Sequence, residues 1–182
     1  YMKYVVLLRG INISGKNKIS MGELKNKLEN LNYENVITYL NSGNIILETN
    51  QNKDEIVTNV HTMIKNEFNL DIPVFVINKN ELEDLLNNKP NWWNEDNKEN
   101  YSNIIFIMKP HTFNEIQLSL GKLNDSVEKV EEYKNNIFWM YKLKDYRKSN
   151  WWIKTASSEV KDFITIRTKN TVKKLLEMSR GK

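Results

Sequence analysis

Three groups of residues in this 182-residue chain have the types and spacing to do chemistry. The first is Gly10-Ile11-Asn12-Ile13-Ser14-Gly15-Lys16, which follows the apolar run Tyr4–Leu8 and fits the G-x-x-x-x-G-K part of a phosphate-binding loop. Such a loop wraps backbone N–H groups around phosphates while its lysine adds charge. The rest of the pattern fails. Asn17 stands where Ser or Thr would hold Mg²⁺, the next helix is expected only near Met21, and no later strand ends in a clear metal-binding Asp. What survives is a cationic, polar rim: Arg9, Asn12, Lys16 and Lys18, joined by Ser42 and Asn44, expected to bind a small anionic or phosphorylated ligand. The plain alternative is a structural loop, with Arg9 paired to an acid and Ser42-Gly43-Asn44 making a turn.

The second group is Arg147, Lys148, Ser149, Arg167, Asn170 and Thr171, a second anion-site candidate at two helix starts. Capping by Thr168 or Asn170 is the structural alternative. The third group is aromatic. RNA-recognition modules stack bases on central strands, and Phe106, Phe138, Trp139 and Tyr141 fall in expected strands. Alternation puts Trp139 and Tyr141 on one face and Phe138 on the other. The glycine and basic residue of the usual RNA-binding consensus are absent, so core packing is the default. In Trp151-Trp152, helical geometry turns one ring to the core and the other toward a surface.

Other chemistries find little support. His61 and His111 are far apart and give no metal-ligand spacing, so no metal is expected. No Gly-x-Ser-x-Gly elbow supports a hydrolase triad. Glu131-Glu132 and the pair Glu81/Asp84 read as solvated carboxylates. No cysteine is present, which excludes disulfides, thiolate nucleophiles and cysteine-held clusters. No cofactor is expected, and no reaction follows from the residues.

These groups must be positioned by a folded scaffold. Charged residues are 27% of the chain and apolar ones 40%, too apolar for disorder. No apolar run approaches a bilayer span and the start lacks a signal-peptide pattern, so a cytoplasmic protein without membrane contact is expected, with Met2 as its natural start. From Lys142 to Lys182, twelve Lys or Arg meet four Asp or Glu. That basic end makes single-stranded nucleic acid the alternative partner, a protein-interaction module being the other.

Strands are expected at Tyr4–Leu8, Val36–Leu40, Ile45–Leu47 and Pro73–Ile77. Leu24, Leu28 and Leu31 behind Ser20, and Ile56, Val60, Ile64 and Phe68, mark two helices. The order is βαββαβ. It repeats with strands at Ile104–Met108, Val127–Tyr133, Ile137–Tyr141 and Phe163–Ile166, and helices at Phe113–Leu120 and, for the most part, Tyr146–Val160. A final helix is expected at Thr171–Met178. The fold class is therefore α+β, with two tandem ferredoxin-like domains of mostly antiparallel sheets. Residues 1–80 form the first, 81–101 a linker with a short helix, and 102–182 the second domain with its terminal helix. Trp92-Trp93 in the linker are expected to pack against one of the halves. Open sheet faces would pack together or make a homodimer. The topology brings Arg9–Lys18 to the hairpin Asn41–Asn44, and Arg147–Ser149 toward Arg167 and Asn170.

Leu7-Leu8-Arg9-Gly10-Ile11-Asn12, Gly15-Lys16-Asn17-Lys18-Ile19-Ser20-Met21 and Tyr39-Leu40-Asn41-Ser42-Gly43-Asn44 resemble the N-terminal signature of the bacterial domain-of-unknown-function 1697 family. Arg147-Lys148-Ser149 and Ile166–Val172 are similar to its closing motif, which usually reads Arg-Asn-Trp-Asn-Thr; Thr168 and Lys169 depart from it. The resemblance implies two ferredoxin-like domains in a bacterial cytosolic protein and no established activity.

Overall fold

In the computed structural model, which describes residues 1–181, the first apolar run lies in β1 (Met2–Leu8). Tyr4, Val6 and Leu8 join the core beneath the helices, while Val5 and Leu7 point to the other face, and all five are buried. Burial on both faces explains an unbroken apolar run where a half-exposed strand would alternate. α1 (Met21–Asn30) begins behind Ser20, whose hydroxyl accepts the Glu23 N–H at 3.3 Å. Its Leu24 and Leu28 enter the same core. β2 (Glu34–Tyr39) and β3 (Asn44–Thr49) form the hairpin. α2 (Lys53–Phe68) starts with a reciprocal capping box between Asn52 and Glu55, and β4 (Val74–Asn78) follows. The sheet order is β2-β3-β1-β4, all antiparallel.

α3 (Lys79–Asn87) and α4 (Asn91–Asn94) precede the second repeat. It comprises β5 (Asn100–Ile107), α5 (Phe113–Leu120), β6 (Glu128–Tyr133), β7 (Asn136–Lys142), α6 (Asn150–Thr155) and β8 (Ile164–Thr168), followed by α7 (Lys169–Ser179). The order β6-β7-β5-β8 reproduces the first sheet's permutation. Two four-stranded antiparallel sheets in βαββαβ order make the protein an α+β tandem of ferredoxin-like domains. The chain divides into two units, one of residues 1–83 with the segment from Lys174 onward, the other Asp84–Lys173.

Two stretches differ from a reading by periodicity. Residues 146–160, expected to be mostly helical, are broken into a 3-10 turn at Leu143–Lys148, the short α6, and a second 3-10 turn at Glu159–Asp162. Ser149 is extended (φ −74°, ψ 117°) because its hydroxyl donates to the buried carboxylate of Glu128 at 2.7 Å while capping α6. Ser158, also extended, caps the second turn. Within the polar segment after α3, Trp93 is fully buried, meets Phe138 edge-on at 5.1 Å, and donates its indole N–H to Asn103 O at 2.7 Å. Truncating such a ring costs roughly 3–5 kcal/mol, so this segment is pinned to the second sheet.

Candidate functional site

The stretch between β1 and α1 is held by its own backbone. Positive φ occurs at Gly10, Asn12, Ser14, Gly15 and Asn17, a conformation that glycine and asparagine tolerate best. Asn17 Nδ2 donates to Gly10 O at 2.8 Å, and Asn12 N donates to Asn17 O at 3.0 Å, closing the loop on itself. The Asn12 side chain is the main fastening. Its amide donates to Ile19 O (3.0 Å) and to Asn41 O (2.8 Å), and its oxygen accepts the Ile19 N–H (2.9 Å). The Asn12 side chain thus ties this loop to the hairpin.

The hairpin is shaped to receive it. Gly43 has φ +87°, and its carbonyl accepts the Leu8 N–H at 2.9 Å. A Cβ there would lie 2.6 Å from Leu8 Cβ. Asn44 is buried and donates to Tyr39 O and Ser42 Oγ, both at 2.9 Å, so it fixes the turn from inside.

Between loop and helix lies an open hollow of about 420 Å³, lined by Asn12, Gly15, Lys18, Ile19, Ser20, Met21 and Asn41. Of the six residues singled out from sequence, it takes Asn12 and Lys18. Arg9 is half-buried, with its N–H bonded to Pro73 O at 3.1 Å, and it lies outside the lining. Lys16, Ser42 and Asn44 also lie outside it. Asn12 is a wall whose donors are already engaged. Lys18 is exposed and has no salt bridge among the described residues. The N-terminus of α1 supplies the other positive end, since the Met21 and Gly22 N–H groups have no intrahelical partner. Sequence reasoning missed Gly15, Ile19, Ser20, Met21 and Asn41 as liners. Ser20 caps α1, and a cap is where a helix's free N–H groups begin.

The second anion-site candidate is not brought together. Ile164 and Ile166 pack into the helix-covered core, so Arg167 and Thr165 point to the opposite face. There Arg167 Nη1 donates to Thr165 Oγ1 (2.8 Å) and Ile166 O (3.0 Å). Ser149 is on the helix-covered side against β6, the strand at the other edge of the sheet. Arg147 Nε donates to Tyr146 Oη (2.9 Å), and Lys148 pairs with Asp145 at 3.7 Å. Thr168 Oγ1 accepts the Thr171 N–H at 3.4 Å, capping α7, and Asn170 is exposed in its first turn. Shared strand direction alone did not predict this separation, because face and edge also count.

What stands at that end instead is Glu128, 2% exposed, which accepts four hydrogen bonds. They come from Trp139 Nε1 (3.2 Å), Ser149 Oγ (2.7 Å), Asn150 N (2.8 Å) and Asn124 N (3.0 Å). Every acceptor direction is filled by the protein, so this carboxylate is a fastener. Phe106, Phe138, Trp139 and Tyr141 are all buried, and a buried ring offers no face to a base. His61 pairs with Asp71 at 2.7 Å and His111 with Glu115 at 2.9 Å; no group of metal-ligating side chains occurs among the described residues. No helix among them is long and apolar enough to cross a membrane.

Fold and hollow together describe a small tandem ferredoxin-like protein with a concave polar hollow built from the first repeat's loop and hairpin. The chain belongs to the DUF1697 family, described as proteins of unknown function, whose pattern matches residues 2–138. The loop and the hairpin fall inside that match; the closing motif at 166–172 falls beyond it. Among solved structures, the chain is similar to the conserved bacterial protein SP0830 from Streptococcus pneumoniae, at 28% identity over 98% of both chains with a TM-score of 0.87. No curated protein matches the sequence.

Proposed function

We propose that this is a cytoplasmic protein that binds a small anionic or phosphorylated ligand in the hollow between the Gly10–Lys18 loop, the Asn41 turn and the start of α1. The observation that carries the reading is the composition of that hollow. An uncompensated lysine and the open N-terminus of a ten-residue helix converge on a space of about 420 Å³, within the range of small-molecule sites. Unpaired helical N–H groups and a nearby cation favour phosphate or carboxylate over a neutral group. Ile19 and Met21 add an apolar wall for the rest of the ligand. The loop is held by Asn12 before any ligand arrives, so binding need not order it.

The test is a thermal-shift panel of inorganic phosphate, sugar phosphates and nucleotides with and without Mg²⁺, on wild type and Lys18→Glu. A ligand at about 100 times its dissociation constant adds roughly 2.7 kcal/mol of stability. The reading expects a selective shift in wild type that Lys18→Glu abolishes. A flat panel, or a shift that Lys18→Glu leaves intact, overturns it.

A further inference from the structure

We propose that residues 142–154 of the second repeat bind single-stranded nucleic acid, stacking a base on Trp152 and holding phosphates on cations of the same stretch. This site is separate from the hollow and does not depend on it.

The backbone at Trp152 is anchored. Ser149 Oγ, tied to Glu128, accepts the Trp152 N–H at 3.0 Å. The preceding Trp151 takes the core position, 1% exposed, and donates its indole N–H to Gly121 O at 2.9 Å. Successive residues of a helix point about 100° apart, so anchoring Trp151 turns Trp152 outward, and it is 39% exposed. Tyr146 meets it edge-on at 4.7 Å, and the Arg147 guanidinium lies 5.4 Å from the centre of the Tyr146 ring. Trp152, Tyr146 and Arg147 are therefore in mutual contact at the surface, Trp152 against Tyr146 and Tyr146 against Arg147.

Cations are dense in the same stretch of chain. Lys142, Lys144, Arg147, Lys148 and Lys154 are exposed within thirteen residues. Asp145 is the one acid in that stretch, and Lys148 engages it at 3.7 Å. Single-stranded nucleic acid is the partner that uses both features, since its phosphates need cations and its bases need flat apolar faces. A lipid surface fits less well. It calls for a long amphipathic helix with an apolar side, whereas α6 has six residues and buries Trp151 and Thr155.

The experiment is fluorescence anisotropy of a labelled oligouridylate, titrated with the full chain at several salt concentrations. Trp152→Ala, Trp152→Phe and the double variant Lys144→Glu/Lys154→Glu are compared with wild type, with unchanged melting as the folding control. Binding is expected, with Trp152→Ala weakening it about 5- to 150-fold and Trp152→Phe retaining most of the affinity. The lysine variant should flatten the dependence of log Kd on log salt by about 1.4. Absence of binding at low salt, equal affinity in Trp152→Ala, or preference for phosphatidylserine vesicles or duplex over the oligonucleotide would each overturn the proposal.

Discussion

Replacing Gly43 by alanine isolates the contact on which the loop–hairpin assembly rests. The backbone at Gly43 has φ +87°, and a side chain there costs roughly 1–2 kcal/mol through the left-handed conformation alone. An added Cβ also falls 2.6 Å from Leu8 Cβ and 3.1 Å from both Leu8 Cγ and Ile11 Cδ1. Leu8 Cβ is fixed to β1, which is paired on both sides, so it cannot swing away as a side-chain tip would. Overpacking of this kind adds about 1–3 kcal/mol, for an expected loss of roughly 2–5 kcal/mol. The comparison is Gly15→Ala. Gly15 has φ +75° but nothing within 4 Å of an added Cβ, so only the conformational cost of about 1–2 kcal/mol applies. Urea unfolding followed by tryptophan fluorescence measures both. If Gly43→Ala loses no more than Gly15→Ala, the hairpin is not clamped on β1 as described, and the geometry of the hollow loses its support.

Three further outcomes follow from named contacts. Asn12→Asp keeps an acceptor for Ile19 N–H but sets a carboxylate against Ile19 O and Asn41 O; it should cost about 1–3 kcal/mol and abolish any ligand-induced shift, whereas retained binding would mean the fastening is dispensable. Asn103 Nδ2 is buried without a hydrogen-bond partner among the described residues. Asn103→Leu is therefore expected to leave stability unchanged or raise it by about 1–2 kcal/mol in chemical denaturation, and a clear loss would show that the amide is satisfied. Burial, with Tyr101 a lesser influence, pushes the Tyr141 phenol up from 10.0 to about 12. The native state thus holds the phenolic proton more tightly than the unfolded one. Its contribution is complete below pH 10 and declines as pH rises toward 12, by at most about 2–3 kcal/mol. Tyr141→Phe should flatten that decline, and an unchanged pH profile would count against it.

The repeat of βαββαβ was legible because its strands and helices carry strong local periods: Ile56, Val60 and Ile64 at helical spacing, and continuous apolar runs in β1 and β5. The caps Ser20 and Thr168 were legible too, since each sits just before a helical pattern. The break between residues 143 and 162 was not. It is set by Ser149 reaching Glu128, twenty-one residues away in sequence, and no local signal encodes that bond. The site shows the same division. Spacing identified the loop and topology brought it to the hairpin, but the lining depends on which side chains are consumed in holding the loop. Asn12 and Asn44 are spent on backbone partners, and the open N–H groups of α1 belong to the main chain, where residue types say little. At the other end, helix starts were visible in sequence, but Arg167 and Ser149 are parted by strand alternation and by two intervening strands.

The most direct test of an anion site in the first repeat is a two-dimensional amide NMR titration with inorganic phosphate. Binding in the hollow requires the Met21, Gly22 and Lys18 amides to shift together, saturably and with one dissociation constant, and the shifts to vanish in Lys18→Glu. Saturable shifts elsewhere with these amides unmoved, or no saturable shifts at all, would contradict the account.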